Sequence, residues 1–225
     1  MGEMVAVAVE TGRYVQYGCG LCAPQGWMNF DASPRLRFER MPVTGSLVAL
    51  TKGRLFPANV MYGDIRQGLP VADGSVDGVY ASHILEHLSR NAVVAALANT
   101  HKILRSGGVF RLIVPDLAAR AERYVRDRAQ RSPKNADAFI TALNIGEMDR
   151  AQGVAGLLRS TFGHSGHLWM YDEDLMGELL RQAGFIDVRR ATFGDSGDKM
   201  FDIVEDRGRF FDSGEPELAM QAKKA

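Results

Sequence analysis

The chain has 225 residues, 46% apolar and 24% charged, which is enough to bury a proper core in one globular domain. Its 27 lysines and arginines balance 27 aspartates and glutamates, so no global field draws it to nucleic acid or to an anionic membrane surface. Two cysteines exclude a disulfide scaffold, no stretch approaches the length of a membrane span, and the opening MGEMVAVAVETG lacks a leader pattern, so a cytoplasmic protein is expected.

Short β-like runs alternate with longer helix-like ones and no repeat is visible, which predicts α/β architecture. Strands are predicted over 14–17, 27–30, 59–62, 76–81 and 109–114, each ending in glycine, aspartate, serine or proline. A helix is predicted over 91–104, with Val93, Val94, Leu97 and Leu104 inward and Gly107-Gly108 beyond its end. From 116 to 160 the chain is arginine-rich and helical in character, an insertion or lid. Its arginines could clamp a phosphate or carboxylate; the plainer reading is solvated helical faces with Asp116, Glu122 and Asp127 as partners. In YDEDLMGELLRQAGF, Asp172 caps a helix, Leu175, Met176, Leu179 and Leu180 form its apolar stripe, and Gly184 supplies a left-handed end. Runs 185–193 and 217–222 read as an antiparallel strand pair, separated by a polar Gly/Asp-rich stretch with no helical pattern.

Residues 16–26, QYGCGLCAPQG, superimpose two motifs. Cys19 and Cys22 have C-x-x-C spacing, but no second Cys/His pair completes a structural zinc site, and the segment opens no helix that would activate a thiol. Gly18 and Gly20 follow a strand directly, at the carboxyl edge of a parallel sheet where ligands bind in open α/β folds. The span from Gly20 to Asp31 is too short for a loop and a proper helix, which argues against a pyrophosphate cofactor that profits from a helix N-terminus. Asp31 ends the second strand and Asp64 the third; each could bind a ribose or a base, or simply start a turn.

YGCG, NFDAS, GDI, LPVADGSVDGVYASHILEHL and LRSGGVFRLIVPDL occur in the order and spacing that resembles class I S-adenosylmethionine-dependent methyltransferases, the type 11 branch with an H-x-L-E-H segment. The resemblance implies one Rossmann-like domain over 1–225. It would have a mostly parallel seven-stranded sheet, an antiparallel C-terminal strand pair and the 116–160 insertion. It implies S-adenosylmethionine as cofactor, with Gly18, Cys19 and Gly20 at the methionine end, Asp31 on the ribose and Asp64 with Ile65 at the adenine. Ser82 and His83 would line the cofactor and open toward the substrate.

HILEH also matches the zinc-protease pattern H-x-x-E-H, yet a strand feeds into it and no third ligand is identifiable downstream, so no metal is expected. In TFGHSGHLWMYDED, His164, His167, Trp169 and Tyr171 suggest a wall that stacks on a ring and accepts a proton. The resemblance favours His167 over His164, and His83 and His167 become the candidate bases, with His87, His164, Trp169 and Tyr171 toward the substrate. The expected reaction is methyl transfer to a small molecule, with a hydroxyl of a sugar, glycan precursor or secondary metabolite preferred from the resemblance. A non-catalytic cofactor-binding partner protein and a dinucleotide-dependent enzyme are the rival classes, and a homodimer is compatible with the sequence.

Overall fold

The computed structural model describes residues 14–41, 55–146 and 166–225. Nine strands are present among them: β1 (Tyr14–Tyr17), β2 (Met28–Asp31), β3 (Val60–Tyr62), β4 (Val76–Ser82), β5 (Leu104–Val114), β6 (Phe185–Arg190), β7 (Phe211–Asp212), β8 (Glu215–Pro216) and β9 (Leu218–Lys224). Seven form one sheet in the order β3-β2-β1-β4-β5-β9-β6, while β7 and β8 make a separate two-stranded ribbon. All neighbours in the large sheet are parallel except those of β9, which is inserted between β5 and β6 and runs against both. This is the Rossmann-like class I arrangement, with the antiparallel C-terminal pair in place.

Alternation along the strands sends side chains to opposite faces, each with its own core. On one face Val15, Val79, Ala81, Phe110, Leu112 and Met220 pack under the helices Arg90–Ile103 and Glu173–Gln182. The first helix buries Val93, Ala96, Leu97, Thr100 and Ile103. Val94, expected inward, is 49% exposed, because one step along a helix turns about 100° and carries it off the stripe set by its neighbour Val93. The second helix is capped as expected, Leu175 N–H donating to Asp172 Oδ1 at 2.9 Å, with Gly184 at φ +93° beyond its end. β5 starts five residues before the predicted 109, since its first turns carry Ser106, Gly107 and Gly108, which offer no apolar alternation to read.

The opposite face is covered differently. No helix links β1 to β2; the ten residues between these parallel strands form a loop, where such connections normally need a longer crossover. Buried Gln16 and Asn29 hold this loop from inside, Gln16 Nε2 donating to the Cys22 carbonyl at 2.7 Å and Asn29 Nδ2 to those of Trp27 and Pro24 at 2.9 and 3.2 Å. Trp27 from the loop then joins Phe201, Val204 and Phe210 against Tyr80, Ile113 and Ala219 of the sheet. Phe201, Val204 and Phe210 come from the stretch between β6 and β9, expected to be irregular, which contains a helix at Lys199–Asp202, a 3-10 turn at Arg207–Phe210 and the β7–β8 ribbon. Elements of two to four residues are too short to leave a period in the sequence.

Polar anchors fix that segment. Tyr14 Oη donates to Asp198 Oδ2 at 2.7 Å and Trp27 Nε1 to the Met200 carbonyl at 3.2 Å. Arg111, 2% exposed in the middle of the sheet, donates to Glu205, Asp195 and Gln221 side chains at 2.6, 2.8 and 2.6 Å and to the Thr192 carbonyl at 3.1 Å. After β5, helices Leu117–Arg128 and Lys134–Leu143 follow. Arg120 turns inward rather than solvating a face: its guanidinium grips both Glu217 oxygens at 2.9 Å and its Nε donates to the Ala142 carbonyl at 2.9 Å. Asp116 caps the first of these helices and pairs with Arg190, not with an arginine of the insertion.

Candidate functional site

Gly18 and Gly20, at the end of β1, both adopt left-handed backbone (φ +64° and +55°) that disfavours a side chain. A Cβ on Gly18 would overlap Ile84, whereas one on Gly20 would meet open space, so Gly18 is the position where the chain requires glycine. Cys19 N–H donates to the Phe30 carbonyl at 3.1 Å and Gly20 N–H to Asp31 Oδ2 at 3.0 Å, which ties the loop across to the end of β2. Both cysteines are free thiols. Cys19 is buried, and burial followed by the nearby Asp31 and Cys22 pushes its pKa up to about 12, the opposite of an activated redox cysteine.

Two cavities meet at Tyr17 and Gly18. The larger, about 390 Å³, runs along the carboxyl ends of β1, β2 and β3 and is walled by Asp31, Ser33, Asp64, Ile65, Ile84 and His87. The smaller, about 120 Å³, lies over β1 and β4 and is lined by Gln16, Cys19, Cys22, Tyr80 and Ser82, closed by Val204, Asp206 and Arg209 of the C-terminal segment. Gly20 lines neither.

Asp31 is buried and already engaged, accepting from Gly20 N–H and, at 2.8 Å, from Ser33 N–H where the helix Pro34–Arg40 begins. Asp64 accepts from Arg66, whose Nη2 lies 2.6 Å away; that hydrogen bond, ahead of the opposing effect of burial, holds the Asp64 pKa below the usual carboxylate range. Ile65 is buried in the main core and shows part of its surface to the larger cavity.

Beyond β4, His83 sits at φ +55°, and a 3-10 turn, Leu85–His87, buries Leu85 and Glu86. His83 Nε2 lies 3.1 Å from the Arg209 carbonyl and its Nδ1 3.4 Å from Glu86 Oε1. Burial works against its charged form, but these two acceptors prevail and hold its pKa above the ordinary imidazole value. His87 Nε2 is 3.9 Å from the same Glu86 oxygen, and the His87 and His167 rings meet edge to face with centroids 5.1 Å apart. Burial, then the neighbouring His87, pulls the His167 pKa down against the pull of Glu86. Leu168 and Trp169 N–H groups donate to the Glu86 carbonyl at 2.7 and 3.2 Å, and His167 N–H donates to that of Asn144 at 3.0 Å. Trp169 is 44% exposed, Tyr171 is buried in the main core, and His164 lies outside the described residues.

Residues 15–112, the stretch that carries β1 to β5 and both cavities' strand-end walls, match the family model described as a methyltransferase domain, of type 11. The chain therefore carries, over residues 15–112, a type 11 methyltransferase domain. Solved structures align over nearly the whole methyltransferase at low identity. A S-adenosylmethionine-dependent methyltransferase from Archaeoglobus fulgidus is 16% identical, with 94% of this chain and 85% of that one covered and a TM-score of 0.47. A possible histamine N-methyltransferase from Thermotoga maritima is 16% identical over 97% of this chain and 84% of its own, also at 0.47. The 1,6-didemethyltoxoflavin-N1-methyltransferase of Burkholderia thailandensis is 16% identical over 94% and 71%, at 0.44. No curated protein matches the chain.

The cofactor is S-adenosylmethionine, and the residues present fit it. It carries no pyrophosphate, so the missing helix after β1 removes nothing it needs. The methyltransferase instead presents two carboxylates on adjacent strand ends and a bare backbone saddle at Gly18 where a Cβ has no room. Sequence reasoning found the strand-end residues but not Ile84 or the wall formed by Val204, Asp206 and Arg209. Ile84 sits beside His83 but reads as an ordinary apolar packing residue, and no spacing rule connects the other three to the strand ends; only the folding of the C-terminal segment over β4 brings those three to the site.

Proposed function

We propose that this methyltransferase transfers a methyl group to a small-molecule acceptor, preferentially a hydroxyl of a sugar, glycan precursor or secondary metabolite, and that residues 1–225 act as one domain with 116–160 as its lid. The observation that carries the reading is the cleft into which Gly18, Asp31 and Asp64 converge from three successive strand ends. The cofactor supplies a methyl group on a sulfonium. The adenosine part is assigned to the larger cavity, Asp31 on the ribose and Asp64 with Ile65 at the adenine. The methionine part is assigned to the saddle at Gly18, Cys19 and Gly20, beside Ser82 and His83.

In-line attack by an acceptor lone pair needs no covalent enzyme intermediate, so this chain's contribution is alignment and exclusion of water. Proton removal from a hydroxyl acceptor falls to the histidine cluster around Glu86, with His83 and His167 as the candidates and His87 and Trp169 on the substrate side, while Tyr171, fully buried in the core, supports them from behind. A shared fold does not fix the acceptor, so acceptor choice rests on this chain's own walls.

Calorimetry with S-adenosylhomocysteine and with NAD tests the reading. Binding of the first and not the second is expected, and Asp31→Ala should weaken it by about 1.5–3 kcal/mol, the worth of a charge-assisted hydrogen bond. Binding of neither ligand would sink the proposal.

A further inference from the structure

Glu86 is carried into the interior by its 3-10 turn: its side chain is 1% exposed, and neither carboxylate oxygen accepts a well-directed hydrogen bond among the described residues, His83 Nδ1 standing 3.4 Å from Oε1. A buried carboxylate is costly unless a cation or donors face it. What faces it here is imidazole. Glu86, His87 and His167 each place a ligand atom so that all three lie within 4.8 Å of one another. Nδ1 of His87 and Nδ1 of His167 are buried without a hydrogen-bond partner, just as the carboxylate is.

Each of these imidazoles therefore keeps a buried ring nitrogen with no donor or acceptor opposite it. The mount is rigid. The Glu86 carbonyl accepts two N–H groups from Leu168 and Trp169, so the loop that bears the third donor is fastened to the turn that bears the first two.

We propose that Glu86, His87 and His167 bind one divalent first-row transition-metal ion. Two imidazole nitrogens and one carboxylate suit Zn²⁺ and its neighbours, whereas Mg²⁺ and Ca²⁺ take oxygen ligands. Three protein ligands leave a coordination position open, and His87 also walls the larger cavity, so that position is available to water or to an acceptor heteroatom at the cleft edge. With the ion bound, His167 serves as a ligand, and His83, held by the Arg209 carbonyl, is the candidate base that remains. The H-x-x-E-H spacing therefore contributes its last two residues, and the third ligand comes from the loop after the insertion, where no sequence spacing announces it.

The full-length protein, stripped with a chelator and dialysed, is titrated with Zn²⁺ by calorimetry, its metal content is measured by mass spectrometry, and Co²⁺ is used as a spectroscopic probe. One equivalent of Zn²⁺ is expected, and the Co²⁺ form should show d–d bands without thiolate charge transfer. Glu86→Gln, nearly isosteric, and His167→Ala should each weaken Zn²⁺ binding by about 100-fold or more, exceeding the loss typical of an outer-shell partner. Cys22→Ser should leave it unchanged. Absence of binding to the wild type, full retention in Glu86→Gln and His167→Ala, or a thiolate band that vanishes in Cys22→Ser would each overturn the proposal. If a variant fails to fold, the wild-type stoichiometry and Co²⁺ spectrum decide it. These readouts do not depend on turnover.

Discussion

Gly18→Ala perturbs the site at its narrowest point. The backbone there is left-handed at φ +64°, which costs a non-glycine residue about 1–2 kcal/mol. The new methyl would also overlap the Cδ1 and Cγ1 of Ile84, forcing that side chain out of its rotamer, and overpacking of this kind adds about 1–3 kcal/mol. A loss of about 2–5 kcal/mol in urea unfolding is the sum of those two terms. Ile84 walls the same cleft, so displacing it should also weaken S-adenosylhomocysteine binding by about tenfold or more, equivalent to about 1.4 kcal/mol. Two controls separate the terms. Gly20→Ala, at φ +55° with open space around the new atom, should cost only the backbone term of about 1–2 kcal/mol. Ile84→Ala in the Gly18→Ala background should recover the steric term, a coupling of about 1–3 kcal/mol in a double-mutant cycle. Equal losses for Gly18→Ala and Gly20→Ala, or strict additivity of the double variant, would refute the reasoning.

Arg111→Met should destabilise the fold by about 3–5 kcal/mol in urea, because it strands the buried Glu205 carboxylate without its cation. Burial raises the Asp195 pKa, but hydrogen bonds from Arg189 and Arg111 outweigh it and hold the carboxyl at about 2. Its contribution to stability is therefore complete above the unfolded value of about 3.9 and lost as pH falls through about 2. The stability gap between wild type and Asp195→Asn should close over that window, and a gap that stayed constant with pH would contradict the assignment. With its pKa at about 12, Cys19 should resist iodoacetamide at pH 8 while the exposed Cys22 is alkylated, as read by peptide mass spectrometry. Equal labelling of both would show that Cys19 is not sequestered.

What the sequence by itself determined was local or periodic. Alternating apolar runs located β1 to β4 within about a residue, because the burial of a parallel strand is written in its own side chains. Asp172 and Gly184 announced the ends of one helix because a cap is satisfied within a few residues. The short span from Gly20 to Asp31 already disfavoured a pyrophosphate, since a missing helix is a matter of counting. Only the tertiary structure decided the rest. Val94 faces solvent because the sheet, not the helix, selects which apolar stripe is buried. Arg111 and Arg120 are interior groups because Glu205 and Glu217, roughly a hundred residues away, meet them there. The segment 195–210 covers the sheet face that no helix after β1 covers, and it supplies Asp206 and Arg209 to the site. His167 joins Glu86 and His87 through loop hydrogen bonds that no motif encodes. Ion pairs and loop docking of this kind depend on where the completed sheet places the chain, and that is a property of the fold rather than of any window of residues.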